Sequence, residues 1–117
     1  WEYSNIFNNL LDNIFITFKN YLKTIETNTS VLENLQLRNA WGAIYKDNDY
    51  TEKHNHTPFF YSFVYYLKVE NNNSPIIFES DVTIPIKEDM LILFPSYLNH
   101  KVPKNKNTRI VISGNIL

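Results

Sequence analysis

The stretch EKHNHTPFFYSFVYYL, residues 52–67, sets two histidines either side of one asparagine and runs directly into a block of aromatic and β-branched residues. The block predicts a strand. In an extended chain successive side chains alternate faces, so His54 and His56 project to the same side and can close on one ion. The pair reads equally as two solvated histidines in an Asn- and Lys-rich loop. Which reading holds depends on what the rest of the chain brings beside them.

Outward from this stretch the chain keeps the same texture. LRNAWGAIY (37–45), PIIFE (75–79), VTIPI (82–86), MLILF (90–94) and RIVISGNI (109–116) are short runs rich in Ile, Val, Phe and Tyr, parted by Asn, Pro, Asp and Lys clusters. Strands at this spacing predict a sandwich or barrel. Upstream, Ile6, Phe7, Leu10, Leu11, Ile14, Phe15, Phe18, Tyr21, Leu22 and Ile25 recur at three- and four-residue steps, which predicts an amphipathic helix over 2–25 laid on a sheet. Ser30 and Glu33 stand at capping-box spacing and predict a second short helix beginning there. Helices first and strands afterwards argue against a βαβ repeat. With glycine only at 42 and 114, neither a P-loop nor a dinucleotide fingerprint can be written.

The bulk properties agree with one packed domain. The 117 residues are 44% hydrophobic, 15% aromatic and 20% charged, a globular balance, and no internal repeat interrupts them. The expected organisation is a single domain over 1–117, mainly β with an N-terminal helix: helical over 1–36, with a β-barrel core over 37–117. Net charge is −1 and the basic residues stand singly, so no nucleic-acid partner is expected. The absence of cysteine excludes disulfide scaffolds, thiolate zinc sites and cysteine nucleophiles, and leaves His, Asp and Glu as metal ligands. No apolar run approaches the ~20 residues of a membrane helix, so no membrane partner and a cytoplasmic location are expected. The chain opens at Trp1 rather than Met and reads as a fragment of a longer product, whose leader would be invisible here.

The third and last histidine, His100, closes LFPSYLNH (93–100) directly after a predicted strand. Ligands from two distant segments suit a metal, because a sheet sandwich brings the ends of non-adjacent strands together. An imidazole-rich set suits Fe(II) or Zn(II) rather than Ca or Mg, which demand oxygen. Nine positions on, Arg109 is one of only two arginines in a chain that otherwise uses lysine. Its planar fork matches a carboxylate as Lys cannot. Strict alternation puts Arg109, Val111, Ser113 and Asn115 on a polar face, with Ile110, Ile112 and Ile116 on a core face. A hairpin turning between Lys104 and Asn105 would set His100 directly opposite Arg109. Tyr45 and Tyr66, on the strands before and after the histidine pair, each offer a hydroxyl to a carboxylate or serve as core.

The order H-x-H, VYYL, LILFPSYLNH and then Arg nine positions after the last histidine resembles the 2-oxoglutarate/Fe(II)-dependent oxygenases. In detail it is similar to a small branch found in phages and marine bacteria, related to prolyl-hydroxylase-like enzymes. The match runs from Trp41 to Asn115, and LFPSYLNHKVP is its most specific piece. The resemblance implies a double-stranded β-helix, the jelly-roll or cupin-like barrel, in an oxygenase-like domain. It implies His54 and His100 as iron ligands, Arg109 as the partner of the far carboxylate of 2-oxoglutarate, and Tyr45 and Tyr66 as pocket-lining tyrosines. The activity implied is a dioxygenase using Fe(II), 2-oxoglutarate and O2 to hydroxylate a small-molecule or peptide substrate. Three positions depart from the pattern. His56 stands where Asp or Glu is usual and becomes the third ligand, Val111 stands for Ser, and Phe63 for Gly. Three neutral ligands suit a zinc enzyme of hydratase or hydrolase type as well. A cupin-type metal enzyme, whose glutamate TPFFY does not supply, and a non-catalytic barrel module complete the alternatives.

Overall fold

The computed structural model describes residues 2–25 and 29–117. They form two compact units, Trp1–Gln36 and Leu37–Leu117. In the first, α1 spans Glu2–Leu22 and α2 spans Thr29–Asn34. Within the apolar stripe of α1, Ile14, Phe18 and Leu22 are buried at four-residue steps, while Ile6, Tyr21 and Ile25 are exposed. The helix ends three residues short of the expected Ile25 because its last turn tightens: the N–H groups of Thr24 and Ile25 donate to the carbonyls of Tyr21 and Leu22. Ser30 lies inside α2 rather than at its cap, and the position before Thr29 lies outside the described residues. Among the described residues no helix is long and apolar enough to cross a membrane.

The second unit is eight strands: β1 (Leu37–Tyr45), β2 (Thr51–His54), β3 (Tyr61–Val69), β4 (Ile76–Phe78), β5 (Val82–Ile84), β6 (Leu91–Pro95), β7 (His100–Val102) and β8 (Arg109–Ile116). They make two antiparallel four-stranded sheets, one in the order β1-β8-β3-β6 and the other β2-β7-β4-β5. Successive strands mostly change sheet, which is the weave of a double-stranded β-helix, or jelly roll. The runs at 37–45 and 109–116 form strands over their full length, β4 and β5 are shorter than their runs, and β3 and β6 reach past the ends of theirs to Val69 and Pro95.

β2 and β7 have only four and three residues and rest on Lys, Glu and Thr, so no alternation announces them. They carry His54 and His100. The His100–Arg109 hairpin does not form: β7 pairs with β2 and β4, and β8 pairs with β1 and β3 in the other sheet. The connection between β7 and β8 crosses from sheet to sheet instead of folding back.

One end of the barrel is closed by Ile76, Phe78 and Phe94, with Val64, Ile84, Ile86, Ile92 and Leu98 packed around them. Because neither glycine sits at positive φ, the left-handed turn positions fall to Asn48, Asn72, Asp89 and Asn107, whose short polar side chains tolerate that region best. Gly114 serves close packing. A Cβ there would lie 2.5 Å from the Phe63 ring and 2.7 Å from the Asn39 carbonyl oxygen on the adjoining strand. At Gly42 the nearest atom would be 3.9 Å away. Gly114→Ala is therefore expected to destabilise the fold by about 1–3 kcal/mol through overpacking, with Gly42→Ala near neutral, as read from denaturant midpoints.

Candidate metal centre

His54, the last residue of β2, and His100, the first of β7, are direct cross-strand partners, so their side chains leave the sheet on one face. His56 lies beyond the strand and is returned to them by local hydrogen bonds. Its backbone N–H donates to the Ser96 carbonyl at 2.8 Å, and the Asn55 side-chain amide donates to Asn99 Oδ1 at 3.0 Å. Ser96 is itself buried in a chain of side chains: its hydroxyl meets Ser62 Oγ at 2.7 Å, which donates to Asn115 Oδ1 at 2.6 Å, whose amide donates to Asn39 Oδ1 at 2.9 Å. Since Ser62 gives its proton to Asn115, Ser96 donates to Ser62, and the FPS turn before His100 is fixed in place.

One candidate ligand nitrogen from each of the three imidazoles comes within 4.8 Å of the others. His54 Nδ1 lies 2.8 Å from the Glu52 carbonyl and His100 Nδ1 lies 3.1 Å from the Leu98 carbonyl. A carbonyl only accepts, so each Nδ1 carries the proton and each Nε2 keeps its lone pair for an ion. His56 Nε2 is 3.3 Å from His100 Nε2. Two nitrogens bound to one tetrahedral zinc at ordinary bond lengths are also separated by about 3.3 Å. The donor set and its spacing thus fit a borderline divalent ion held by neutral imidazoles. Burial above all pushes His100 down to about 4; its bond to Leu98 opposes this, and the neighbouring His54 and His56 add smaller effects in the downward direction. Desolvation and then His54 lower His56 in the same way.

Tyr45 and Arg109 are cross-strand partners in the opposite sheet. Arg109 is only 2% exposed. Its guanidinium lies over the Tyr45 ring at 4.1 Å, and Nη1 donates to the Ser74 carbonyl at 2.7 Å. Its Nε–H has no protein partner. Burial lowers the arginine's pKa, with Tyr66 and Tyr45 acting the other way, and the side chain stays cationic at any ordinary pH. Tyr45 shares a hydrogen bond with the Thr51 hydroxyl. Burial is also the main reason that Tyr66 is pushed up to about 12, partly offset by the adjacent Arg109 charge.

All six residues line one cavity of about 170 Å³ between the two sheets, walled by Val64, Phe94 and Val111, with Trp41 beside His56. Among the described residues no acidic side chain lines it, and Arg109 is the fixed charge of that lining. The polar face of β8 turns inward: Arg109, Val111 and Ser113 line the cavity, while buried Asn115 is held by Ser62 and Asn39. Sequence reasoning passed over Thr51 and the Ser74 carbonyl, since a backbone acceptor in NNNSP leaves no trace in residue type.

No family model matches the chain, and no curated protein matches it. Solved structures do. A 2OG-Fe(II) oxygenase family oxidoreductase from Burkholderia pseudomallei superposes with TM-score 0.65 at 11% identity, over 71% of this chain and 45% of that one. A prolyl-4-hydroxylase from Pseudomonas putida gives 0.55 at 17% identity over 68% and 52%. An RmlC-like cupin protein from Desulfovibrio desulfuricans gives 0.52 at 13% identity over 69% and 79%. At these identities the likeness is one of fold, the double-stranded β-helix. The chain spans about half the length of the oxygenase and the hydroxylase.

Two outcomes follow. One Co(II) or Zn(II) ion per chain is expected to bind and raise the melting temperature, and His100→Ala is expected to abolish that rise. A histidine held below its ordinary 6.5 leaves the unfolded chain the better proton acceptor between 6.5 and about 4. The metal-free protein should therefore lose on the order of 2–3 kcal/mol of stability from this group as pH falls through that window. Denaturant midpoints at neutral pH and near the lower bound, compared with His100→Gln, isolate the contribution; an equal fall in both proteins would remove His100 as its source.

Proposed function

We propose that the barrel is an oxygenase domain that binds Fe(II) through His54, His56 and His100 and holds 2-oxoglutarate with its far carboxylate on Arg109, to hydroxylate a small-molecule or peptide substrate with O2. The observation that carries this reading is a buried guanidinium without an acidic partner in the same cavity as three convergent imidazoles. A lone buried charge is expensive unless something pairs with it, and a ligand carboxylate is the partner this cavity lacks. The double-stranded β-helix shared with known oxygenases agrees with the assignment but also hosts cupins, so the argument rests on the site.

When bound, Fe(II), 2-oxoglutarate and O2 supply the oxidative decarboxylation and the oxidation of a C–H bond. The rest falls to the chain's own groups. His54 and His100 present Nε2 because their Nδ1 protons are committed to backbone carbonyls. Arg109 offers a planar donor edge to a carboxylate. The face of Tyr45 and the Ser74 carbonyl fix its plane. Tyr66, kept protonated by its raised pKa, keeps an O–H donor for a carboxylate. Val64, Phe94 and Val111 exclude water and strengthen these contacts. Three neutral ligands leave the ion's charge uncompensated by protein, so the dianionic co-substrate meets a dication at one end and a guanidinium at the other.

The all-imidazole ligand set favours a second reading, a zinc hydratase or hydrolase with a metal-bound water. That reading leaves Arg109 without a task. The Fe(II)-loaded protein under air is expected to release succinate from 2-oxoglutarate. His100→Ala should remove the activity, and Arg109→Gln should raise KM for 2-oxoglutarate at least about 30-fold, the usual penalty for unpairing a buried charge contact. Unchanged KM in Arg109→Gln would sink the co-substrate assignment, and zinc-dependent turnover without oxygen would establish the second reading.

A further inference from the structure

Outside the cavity lining, three loops are tied to one another and to Arg109 by hydrogen bonds: 46–50 after β1, 70–75 after β3, and 103–108 between β7 and β8. Asn105, in the last of these, is 1% exposed and every polar group it owns is engaged. Its backbone N–H donates to the Asp49 carbonyl at 2.8 Å, and its carbonyl accepts from Asn48 N–H at 2.7 Å. Its side-chain Nδ2 donates to the Asn107 carbonyl at 2.7 Å, and Oδ1 accepts from Ser74 N–H at 2.9 Å. Ser74 is the residue whose carbonyl receives Arg109 Nη1. The Ser74 hydroxyl donates to the Lys104 carbonyl at 2.7 Å, so Ser74 is held at two points by the segment that leads into β8.

We infer that Asn105 is a positioning residue for Arg109, fixing through Ser74 the direction from which the guanidinium meets a bound carboxylate. The inference rests on the reading of Arg109 given above and goes beyond it. An arginine side chain has four rotatable bonds, and this one has no carboxylate to lock them. Its plane is set by the Tyr45 ring on one side and by one backbone carbonyl at its tip. A ring face tolerates sliding and rotation, whereas a carbonyl at 2.7 Å does not. The carbonyl is therefore the part that aims the fork, and its own position depends on the amide of Asn105. Without that amide, Ser74 N–H loses a buried acceptor and the 70–75 loop is free to shift, carrying the Arg109 acceptor with it. The histidines lie at the other end of the ladders, where Ser96 and Asn99 hold them independently of Asn105.

The test separates the two ends of the cavity. Co(II) binding is followed by its visible absorption, and 2-oxoglutarate binding to the Co(II)-loaded protein by calorimetry, in wild type, Asn105→Ala, Arg109→Gln and the double variant. Asn105→Ala should weaken 2-oxoglutarate about tenfold, the scale of one lost positioning hydrogen bond, while Co(II) affinity stays within about twofold. In the Arg109→Gln background the same change should cost nothing further, because no guanidinium is left to aim. Should Asn105→Ala not fold, Asn105→Ser takes its place, since its hydroxyl is too short to reach Ser74 N–H, with the same results expected. Full-strength 2-oxoglutarate binding in the Asn105 variant, equal loss of Co(II) and co-substrate, or an undiminished tenfold loss in the Arg109→Gln background would each overturn the inference and leave the role of Arg109 standing. Wild-type affinity in Arg109→Gln alone would instead overturn the carboxylate role and this inference with it.

Discussion

A positive charge buried without a counter-charge is the constraint around which this barrel is arranged. Arg109 sits 2% exposed among Tyr, Val and Ile side chains, with one backbone carbonyl and one aromatic face for company. Burial at this level ordinarily costs several kcal/mol unless the ion is paired. The protein meets the cost in part by setting the Ser74 carbonyl, Tyr45 and Tyr66 around the guanidinium, and under the proposed function a bound carboxylate would meet the rest. Across from it stand three imidazoles, of which His56 and His100 are held below the usual histidine range, first of all by burial. Two rungs, Tyr45 with Arg109 in one sheet and His54 with His100 in the other, thus define the two poles of one chamber.

The departure at His56 bears on which pole does what. With a carboxylate in that position, the protein would supply one of the negative charges an iron centre usually carries. With imidazole there, the negative charge must come from the ligands. On the proposed oxygenase reading, the site would suit a dianion reaching from metal to arginine better than a neutral molecule.

Much of the fold was legible because β1 and β8 carry long apolar runs that only a strand accommodates, and because α1 repeats its apolar residues at helical spacing. Of the six candidate site residues, three histidines and a lone downstream arginine stand out by rarity in a chain of Asn, Lys and Ile, whereas Tyr45 and Tyr66 are two of eight tyrosines and were singled out by position and resemblance. What failed was connectivity. A turn rich in Lys and Asn after His100 looks like a hairpin, but strands of three and four residues cannot reveal which sheet they join. The polar face of β8 was read correctly as a face, yet its surroundings are set by the opposing sheet, which no local pattern encodes. Asn105 was invisible for a related reason: its importance lies in four hydrogen bonds to backbone atoms, three of them on distant segments, and in sequence it is one asparagine among many.

The pairing of β2 with β7 has a mechanical corollary. β2 is an edge strand whose sole ladder neighbour is β7, and the ladder is irregular between its two registered rungs. One of those rungs is the His54–His100 pair itself. An ion held by this pair would rivet an edge strand to its single neighbour, so that fraying of the seam and escape of the ion would become one event.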